Sequence, residues 1–268
     1  MNIETLCNKI NLQKEVKEKV LNFFNTFDFD LVNNLLQSFR DYEQMSDSLG
    51  DLQEKLGDDI DVIKILTCML KASVDVYEIY QSKDISDDIY FATMKCYTRF
   101  INETYKMTGK YYFDRFWWTT RQAGCHLFRI GELEYEMRPD KGNIVIDIHI
   151  PSDAIFTPFN VDKSLESAKE FFKAYYPELK EPPFYCHSWL LDKQLQKMLD
   201  KNSNIVSFQN HFDIYDDGES DTSFIEWLFN TKDNDYESLP EKTTLQRNVK
   251  KHILTGGAIR SSYGKLIQ

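Results

Sequence analysis

The hydrophobic pattern of the chain changes its period near Gly124, and this change constrains the possible fold more than any other feature. Before that residue, apolar side chains recur every three or four positions, most clearly over residues 60–77, which predicts amphipathic helices. No proline occurs before Pro139, so nothing in this half interrupts a helical bundle. After Gly124 the period becomes two, which is typical of strands. We therefore expect an α+β fold, with a helical domain over residues 1–122 and a sheet domain over residues 123–268.

The second half predicts a mixed sheet that begins with a three-stranded meander. Leu133, Tyr135 and Met137 alternate with glutamates, which indicates a strand with one buried and one solvated face. A helix with Asn160 as its N-cap follows the meander and ends at Pro177. The other predicted elements are an acidic loop over residues 216–221, helices over 192–199 and 245–254, and strands over 125–130, 132–138, 143–150, 184–191, 205–215 and 224–230.

Charge and cysteine content limit the partners and the compartment. Acidic residues outnumber basic ones, 43 to 32, and the net charge of −11 repels phosphate backbones, so we expect no nucleic-acid partner. No apolar run reaches the roughly 18 residues that a membrane helix needs, so we expect neither a membrane partner nor a signal peptide. Five widely spaced cysteines without a Cys-x-x-Cys pair fit free thiols in a reducing cytoplasm. The five histidines show no metal-ligand spacing, so we expect no metal site.

Several blocks of sequence carry a resemblance to a known family. The most specific block is Tyr-Cys-His-Ser-Trp-Leu-Leu-Asp at residues 185–192. The others are His-Ile-Pro-Ser at 149–152, Leu-Phe-Arg-Ile-Gly-Glu-Leu at 127–133, Ser-Asn-Ile-Val-Ser-Phe-Gln at 203–209, Glu-Trp-Leu-Phe at 226–229 and Leu-Pro-Glu-Lys-Thr-Thr-Leu-Gln-Arg at 239–247. In these blocks the chain resembles the bacterial acyltransferase-domain-containing family, in which a helical N-terminal domain precedes a GNAT-like acyltransferase domain.

The resemblance implies direct transfer of an acyl group from coenzyme A to an amine, without a covalent enzyme intermediate. The implied cofactor is coenzyme A or acyl-CoA, and the implied partners are a small-molecule acyl donor and an amine acceptor. The thioester arm would lie in a split between the strands at residues 143–150 and 184–191. The helix between these strands would offer its N-terminal amides to the pyrophosphate.

The expected pyrophosphate loop departs from the family pattern. GNAT enzymes place a glycine-containing loop at this helix start, because a missing Cβ lets backbone amides approach the phosphates. This chain has no glycine between Gly142 and Gly218, and its loop at residues 151–160 carries two prolines and Asp153. Three interpretations stay open: coenzyme A binds differently, another acyl carrier replaces it, or the domain is a non-catalytic module that binds a small ligand or partner.

His149 and His187 are the predicted catalytic residues. Acyl transfer needs a base that takes a proton from the attacking amine, and an imidazole near a carboxylate is suited to this. By strand parity His149 shares a face with Asp147, and both histidines would line the split if the strands separate there. The alternatives are a solvated strand face for His149 and a core position for His187. Cys186 faces away from His187, which argues against a Cys-His nucleophile.

Five further residues are predicted to contact the substrate or the cofactor: Ser152, Tyr185, Ser188, Gln209 and Arg247. Ser152 and Tyr185 would lie at the mouth of the split. The alternative for Gln209 is the solvated face of the strand predicted over residues 205–215. Arg247 opens the last helix, where it would bind an anion. Trp117 and Trp118 are predicted to lie at the seam between the helical domain and the sheet.

Overall fold

The computed structural model of the chain describes residues 1–216, 218, 220, 222–231 and 235–267. Of the acidic loop predicted over residues 216–221, positions 217, 219 and 221 lie outside this description. No helix of the described residues is long and apolar enough to cross a membrane. The same residues contain no group of three or more His, Cys, Asp or Glu side chains arranged to hold a metal ion.

The first 123 residues are helical, as the spacing of their apolar residues predicts. The longest helix lies at the centre of this half, where Leu66, Met69 and Leu70 are fully buried. Neighbouring helices pack against it on several sides, so little of its surface needs to be polar. The helices are α1 (Ile3–Lys9), α2 (Lys14–Thr26), α3 (Asn33–Ser38), α4 (Met45–Leu56), α5 (Ile63–Ser82), α6 (Asp87–Met94), α7 (Cys96–Thr108) and α8 (Phe116–Ala123).

The second half contains a mixed sheet, which confirms the α+β class. Its elements in chain order are β1 (Leu127–Ile130), β2 (Leu133–Asp140), β3 (Asn143–His149), α9 (Pro158–Tyr175), β4 (Phe184–Ser188), α10 (Gln194–Met198), α11 (Asn204–Gln209), β5 (Phe212–Asp216), α12 (Ser223–Phe229), α13 (Thr244–Leu254) and β6 (Ser262–Leu266). The strand order is β1-β2-β3-β4-β6-β5. β3 and β4 run parallel, and the other neighbouring strands of the described residues run antiparallel.

Both faces of β1–β3 are covered, so the solvated face predicted for β2 is wrong. On one face α9 packs against the sheet, and the hydroxyl groups of Tyr135 in β2 and Ser164 in α9 lie 2.9 Å apart. The helical half covers the other face, where Glu134 and Glu136 are each only 2% exposed. A carboxylate is stable in such a position only when it has partners. The helices supply those partners, as the site below shows.

Two of the later predicted strands are wrong in whole or in part. Residues 204–209 form α11, so only the end of the strand predicted over 205–215 exists, as β5. Residues 223–229 form α12 instead of a strand. In apolar runs this short, the spacing of the apolar residues does not distinguish a strand from a helix. In addition, β6 was not predicted, and the N-cap of α9 is Thr157 instead of Asn160.

A continuous core joins the helical half to the sheet. Tyr80 of α5 packs against Phe128 of β1 with ring centroids 5.6 Å apart, and Phe128 in turn contacts Phe171 of α9 at 4.9 Å. A second, smaller core lies beside β4 and β6 and consists of Leu195, Phe224, Ile225, Phe229, Leu239, Val249 and Ile259. The helices α10, α12 and α13 therefore form a small lobe at one side of the sheet.

We expect Gly124→Ala to destabilise the protein by about 1–3 kcal/mol, because the site has no room for a side chain. A Cβ there would overlap the carbonyl oxygen of Phe39, which also accepts a hydrogen bond from Nε2 of His126 at 2.9 Å. Gly50 in α4 is the matched control, since a Cβ there meets no atom within 4 Å. Gly50→Ala should stabilise by about 0.5–1 kcal/mol. Urea unfolding measures both variants, and equal effects would contradict the expectation.

Candidate active site

β3 and β4 pair over only two residues before their ladder ends. The last pair joins Asp147 to Tyr185, and the same register continued for two residues would place His149 opposite His187. Among the described residues, however, β3 and β4 form no further pair beyond Asp147 and Tyr185. Beyond this pair the two strands are not hydrogen-bonded to each other, at the position where the sequence predicts the split, and we call the region between their unpaired ends the opening.

His149 and His187 lie on the same face of the sheet at this opening. Each stands two residues beyond the last pair between β3 and β4, and side chains two apart on a strand share a face. The helical half covers this face over β1–β3. The two predicted catalytic residues thus border one opening, and their roles stay a prediction.

His149 is held in place by a carboxylate and an aromatic ring. Its Nε2 lies 2.8 Å from Oε2 of Glu136. The ring of Trp118 meets it edge-on, with centroids 4.8 Å apart and an interplanar angle of 85°. The side chain of His149 is 26% exposed, so part of the ring remains open to solvent. Trp118 therefore lies at the seam between the helical half and the sheet, as predicted.

Glu136 is a buried carboxylate that the site keeps ionised. Tyr42 Oη donates a hydrogen bond to it at 2.6 Å and Arg121 Nε donates another at 2.8 Å. Burial raises the pKa of this carboxyl, but the hydrogen bonds of His149 and Tyr42 and the positive charges of protonated His149 and Arg121 outweigh burial and lower the pKa to about 2. Because an ionised carboxylate only accepts hydrogen bonds, Nε2 of His149 carries a proton. In the neutral ring Nδ1 then has a free lone pair.

His187 is exposed, so the core position considered for it is wrong. Its ring stacks on Tyr263 of β6, with centroids 3.8 Å apart and an interplanar angle of 5°. Its Nε2 lies 3.2 Å from the carbonyl oxygen of Ser261 and donates to it. A backbone carbonyl only accepts, so Nδ1 is the nitrogen that remains available.

Cys186 does not provide a nucleophile for this opening. It lies on the opposite face of β4 from His187 and is fully buried. Burial raises the pKa of its thiol far above the ordinary value, so it stays protonated. All five cysteines are free and buried.

The loop between β3 and α9 is tied down by its own polar contacts. Oγ of Ser152 donates to Glu103 of α7, and the backbone N–H of Ile155 donates to Oε2 of Glu132 at 2.7 Å. The backbone N–H of Asn160 donates to Oγ1 of the N-cap residue Thr157. These amides are therefore already engaged, which agrees with the absence of glycine from the loop.

Asp153 of this loop lies between two buried arginines. Its Oδ1 accepts hydrogen bonds from Arg129 at 2.9 Å and from Arg99 at 3.4 Å. Burial raises the pKa of Asp153, but the charges of Arg129 and Arg99 outweigh burial and lower it. Arg99 also pairs with Glu134 at 2.7 Å. The loop that would hold a pyrophosphate thus carries its own anion.

Of the other residues predicted to contact the ligands, Tyr185 and Ser188 lie on β4, whereas Gln209 and Arg247 lie on helices outside the sheet. Tyr185 is the last residue of β4 that pairs with β3, and Oγ of Ser188 accepts a hydrogen bond from the backbone N–H of Leu190. Gln209 lies on α11 instead of a strand, is 2% exposed, and its amide donates to the carbonyls of Leu190 and Asp192.

Arg247 is exposed on α13 of the small lobe, where it donates to the carbonyl of Glu241 and to Oγ1 of Thr244. Gln209 and Arg247 thus have partners within the protein. Their contact with a ligand stays a prediction.

Sequence reasoning missed the partners of His149. The sequence pattern predicts a solvated face for Glu136, the partner of His149. The partners of Glu136 come from the helical half: Tyr42 from the turn between α3 and α4, and Arg121 from α8. One signal was available. A strand that carries Glu132, Glu134 and Glu136 on one face can bury that face only through ion pairs or hydrogen bonds from other elements.

A helical half followed by a mixed six-stranded sheet, with one parallel pair of strands joined by α9, is consistent with a GNAT-like α+β fold. A family model of the GNAT-like C-terminal domain matches residues 127–266, and one of the N-acyltransferase N-terminal domain matches residues 1–125. The chain therefore belongs to the family that this GNAT-like C-terminal domain defines. None of the curated proteins matches the chain.

Solved acyltransferases share this fold over nearly the whole chain. One is an acyltransferase in complex with decanoyl-CoA and teicoplanin, with a TM-score of 0.79 and 21% identity. A second, in complex with CoA and 10C-teicoplanin, has a TM-score of 0.80 and 21% identity. A third, a mutant in complex with octanoyl-CoA, has a TM-score of 0.79 and 20% identity. Each alignment covers 98% of this chain and 86% of the other.

Proposed function

We propose that the protein is an N-acyltransferase that moves an acyl group from a coenzyme A thioester to an amine at the opening between β3 and β4. The observation that carries this proposal is the position of His149. It stands at the opening with one nitrogen bound to an ionised carboxylate and the other free. This arrangement suits a general base that must accept a proton and then be stabilised as a cation.

In the proposed reaction the acceptor nitrogen attacks the thioester carbon, and the carbon–sulfur bond breaks as the new amide forms. Nδ1 of His149 takes the proton that the nitrogen loses, and Glu136 stabilises the resulting imidazolium across the 2.8 Å hydrogen bond. The thiolate of coenzyme A leaves and takes up the proton from the imidazolium, directly or through solvent, which returns His149 to its neutral form. We place His187 as the second catalytic histidine, and Ser152, Tyr185 and Ser188 as contacts of the two substrates.

The family match and the solved acyltransferases of the same fold support the donor class. Acyltransferases of the same fold were crystallised with CoA, octanoyl-CoA and decanoyl-CoA, so these are the donors to test here. Two of these structures also held teicoplanin or 10C-teicoplanin, so teicoplanin is one acceptor to test here. The buried free cysteines favour the reducing cytoplasm as the compartment.

We expect CoA, octanoyl-CoA and decanoyl-CoA to raise the melting temperature of the purified protein by several degrees. A ligand at 100 times its dissociation constant stabilises a folded protein by about 2.7 kcal/mol. Differential scanning fluorimetry with millimolar ligand measures this shift, and adenosine monophosphate, which lacks the thioester arm, is the control. If none of the three ligands shifts the melting temperature, coenzyme A is not the donor. The remaining hypotheses are then a carrier-protein donor and a non-catalytic module.

The state of the loop favours the second candidate, a non-catalytic module of the same fold. Such a module would keep the opening to bind a small ligand or a partner. The engaged amides of the loop and the placement of Asp153 between Arg99 and Arg129 are the specific observations for it. Binding of acyl-CoA without any transfer to amines would support this candidate over the enzyme.

A further inference from the structure

A cavity of about 770 Å³ lies at the end of the sheet away from the candidate active site. It is bounded by the second half of α9, by the segment that leads into β4, and by the end of β6. Phe184 at the start of β4 lines it, whereas His187 and the opening are at the other end of that strand. Its volume falls within the usual range of small-molecule sites, roughly 300–1,000 Å³. Neither the proposed reaction nor any residue predicted from the sequence uses this cavity.

The floor of the cavity is apolar and already ordered by packing. Phe172, Tyr176 and Phe184 line it, and all three are buried. Phe172 packs against Tyr176 with centroids 6.0 Å apart and against Phe184 at 5.8 Å. Leu266 of β6 adds an aliphatic surface. An apolar chain or ring entering this space would therefore meet a surface that needs no rearrangement.

The rim of the cavity carries an excess of positive charge. Four lysines line it, and they come from three parts of the chain: Lys169, Lys173, Lys180 and Lys265. Only two carboxylates, Glu170 and Glu181, accompany them. None of the four lysines forms an ion pair within the described part of the chain. Such a cluster is notable in a protein with a net charge of −11.

The rim is also shaped by an unusual stretch of backbone. Lys180 and Glu181 have φ angles of 49° and 59°, in the left-handed region that residues with a side chain rarely adopt. Pro182 and Pro183 follow at once and restrict the chain further. Two consecutive residues in this region cost free energy, and such strain persists where the surrounding structure fixes it, often at ligand sites.

We propose that this cavity binds an amphipathic anion, a molecule with one alkyl chain and one phosphate or carboxylate head group. The apolar floor would take the alkyl chain, and the unpaired lysines of the rim would take the charge. The site is independent of the proposed acyl transfer, because it lies at the opposite end of β4. Phosphate and carboxylate heads share this chemistry, and the experiment separates them.

The test is isothermal titration of the full chain with decyl phosphate and with decanoate, each below its micelle concentration. We expect one molecule to bind per chain, while decanol and inorganic phosphate alone bind at least about tenfold more weakly, because each lacks half of the recognised features. The stronger of the two ligands identifies the preferred head group. Equal binding of decanol would overturn the proposal, since it would show that the lysines do not take part.

Charge reversal at the rim provides the matched comparison. Lys173→Glu and Lys265→Glu should each weaken binding by about tenfold, since a charged hydrogen bond is lost and a repulsion is gained. Lys163→Glu is the control, because Lys163 is exposed on the same helix, α9, and does not line the cavity. All three side chains are exposed, so the fold should tolerate each change.

Unchanged binding in Lys173→Glu and Lys265→Glu would overturn the proposal. So would full displacement of decyl phosphate by coenzyme A, which would make the cavity part of the acyl-donor site. Failure of the protein to bind acyl-CoA would contradict the proposed function and leave this site untouched. The two proposals therefore fail separately.

Discussion

Replacing His149 by alanine is expected to lower turnover by about 10²- to 10⁴-fold, the usual contribution of a general base. The structure gives the physical reason. His149 is the group at the opening whose Nε2 is fixed by an ionised carboxylate, so its other nitrogen is free to take a proton. Release of coenzyme A from decanoyl-CoA in the presence of an amine measures turnover. A thiol reagent can detect the released coenzyme A, and it should react little with the protein because all five cysteines are buried.

The control for this experiment is His252→Ala. His252 lies on α13 of the small lobe, and its Nε2 is 3.3 Å from the carbonyl of Ala258. Removal of this side chain should leave turnover within a few-fold of wild type. The fold of His149→Ala should also survive, since the ring is partly exposed. If His149→Ala and His252→Ala turned over alike, His149 would not be the base.

The second large effect concerns stability in acid. The pKa of Glu136 is about 2 in the folded protein against 4.5 for an ordinary glutamate, so its ionisation favours the folded state. The carboxyl is 3% exposed, so screening by water is small. At pH 7 this difference corresponds to about 3 kcal/mol of stability. Because the folded pKa is the lower one, the contribution is complete above pH 4.5 and is lost as the pH falls towards 2.

Glu136→Gln replaces the titrating carboxyl by an uncharged amide of nearly the same size and shape. We expect wild type to exceed the variant in free energy of unfolding by about 3 kcal/mol at pH 7, and we expect this excess to shrink between pH 4.5 and pH 2. Urea unfolding of both proteins at a series of pH values gives the difference, in which other carboxylates cancel. A difference that stayed constant over that range would show that Glu136 is not ionised through its contacts with His149 and Arg121.

The sequence was sufficient to predict the elements that position the opening. The alternation of isoleucines predicts β3, and the stripe of apolar residues after Pro158 fits α9, so the order of β3, α9 and β4 follows from local pattern. α11 and α12 could not be predicted, because runs of six or seven residues fit a strand and a helix equally well. β6 was missed because its sequence is only weakly apolar. A Cβ at Gly264 would lie 3.0 Å from Leu191 and Phe212, so a side chain there would force these two residues to move.

The candidate site was only half predictable for a different reason. His149 stands in a recognisable block, but whether its strand face is solvated depends on what packs against it. Tyr42 is 94 residues away from Glu136 in the chain, and their contact appears only in the folded protein. Burial of a charged face is a property of tertiary structure, because each carboxylate needs a partner from another element.

The most direct test of the account is a crystal structure of the protein with decanoyl-CoA. We predict that the thioester lies in the opening between the ends of β3 and β4, with its acyl carbon beside the ring of His149 and room for an amine within reach of Nδ1. This result needs no knowledge of the acceptor. A thioester bound elsewhere, or an opening that stays closed to decanoyl-CoA, would contradict the central claim that acyl transfer takes place at the His149–Glu136 pair.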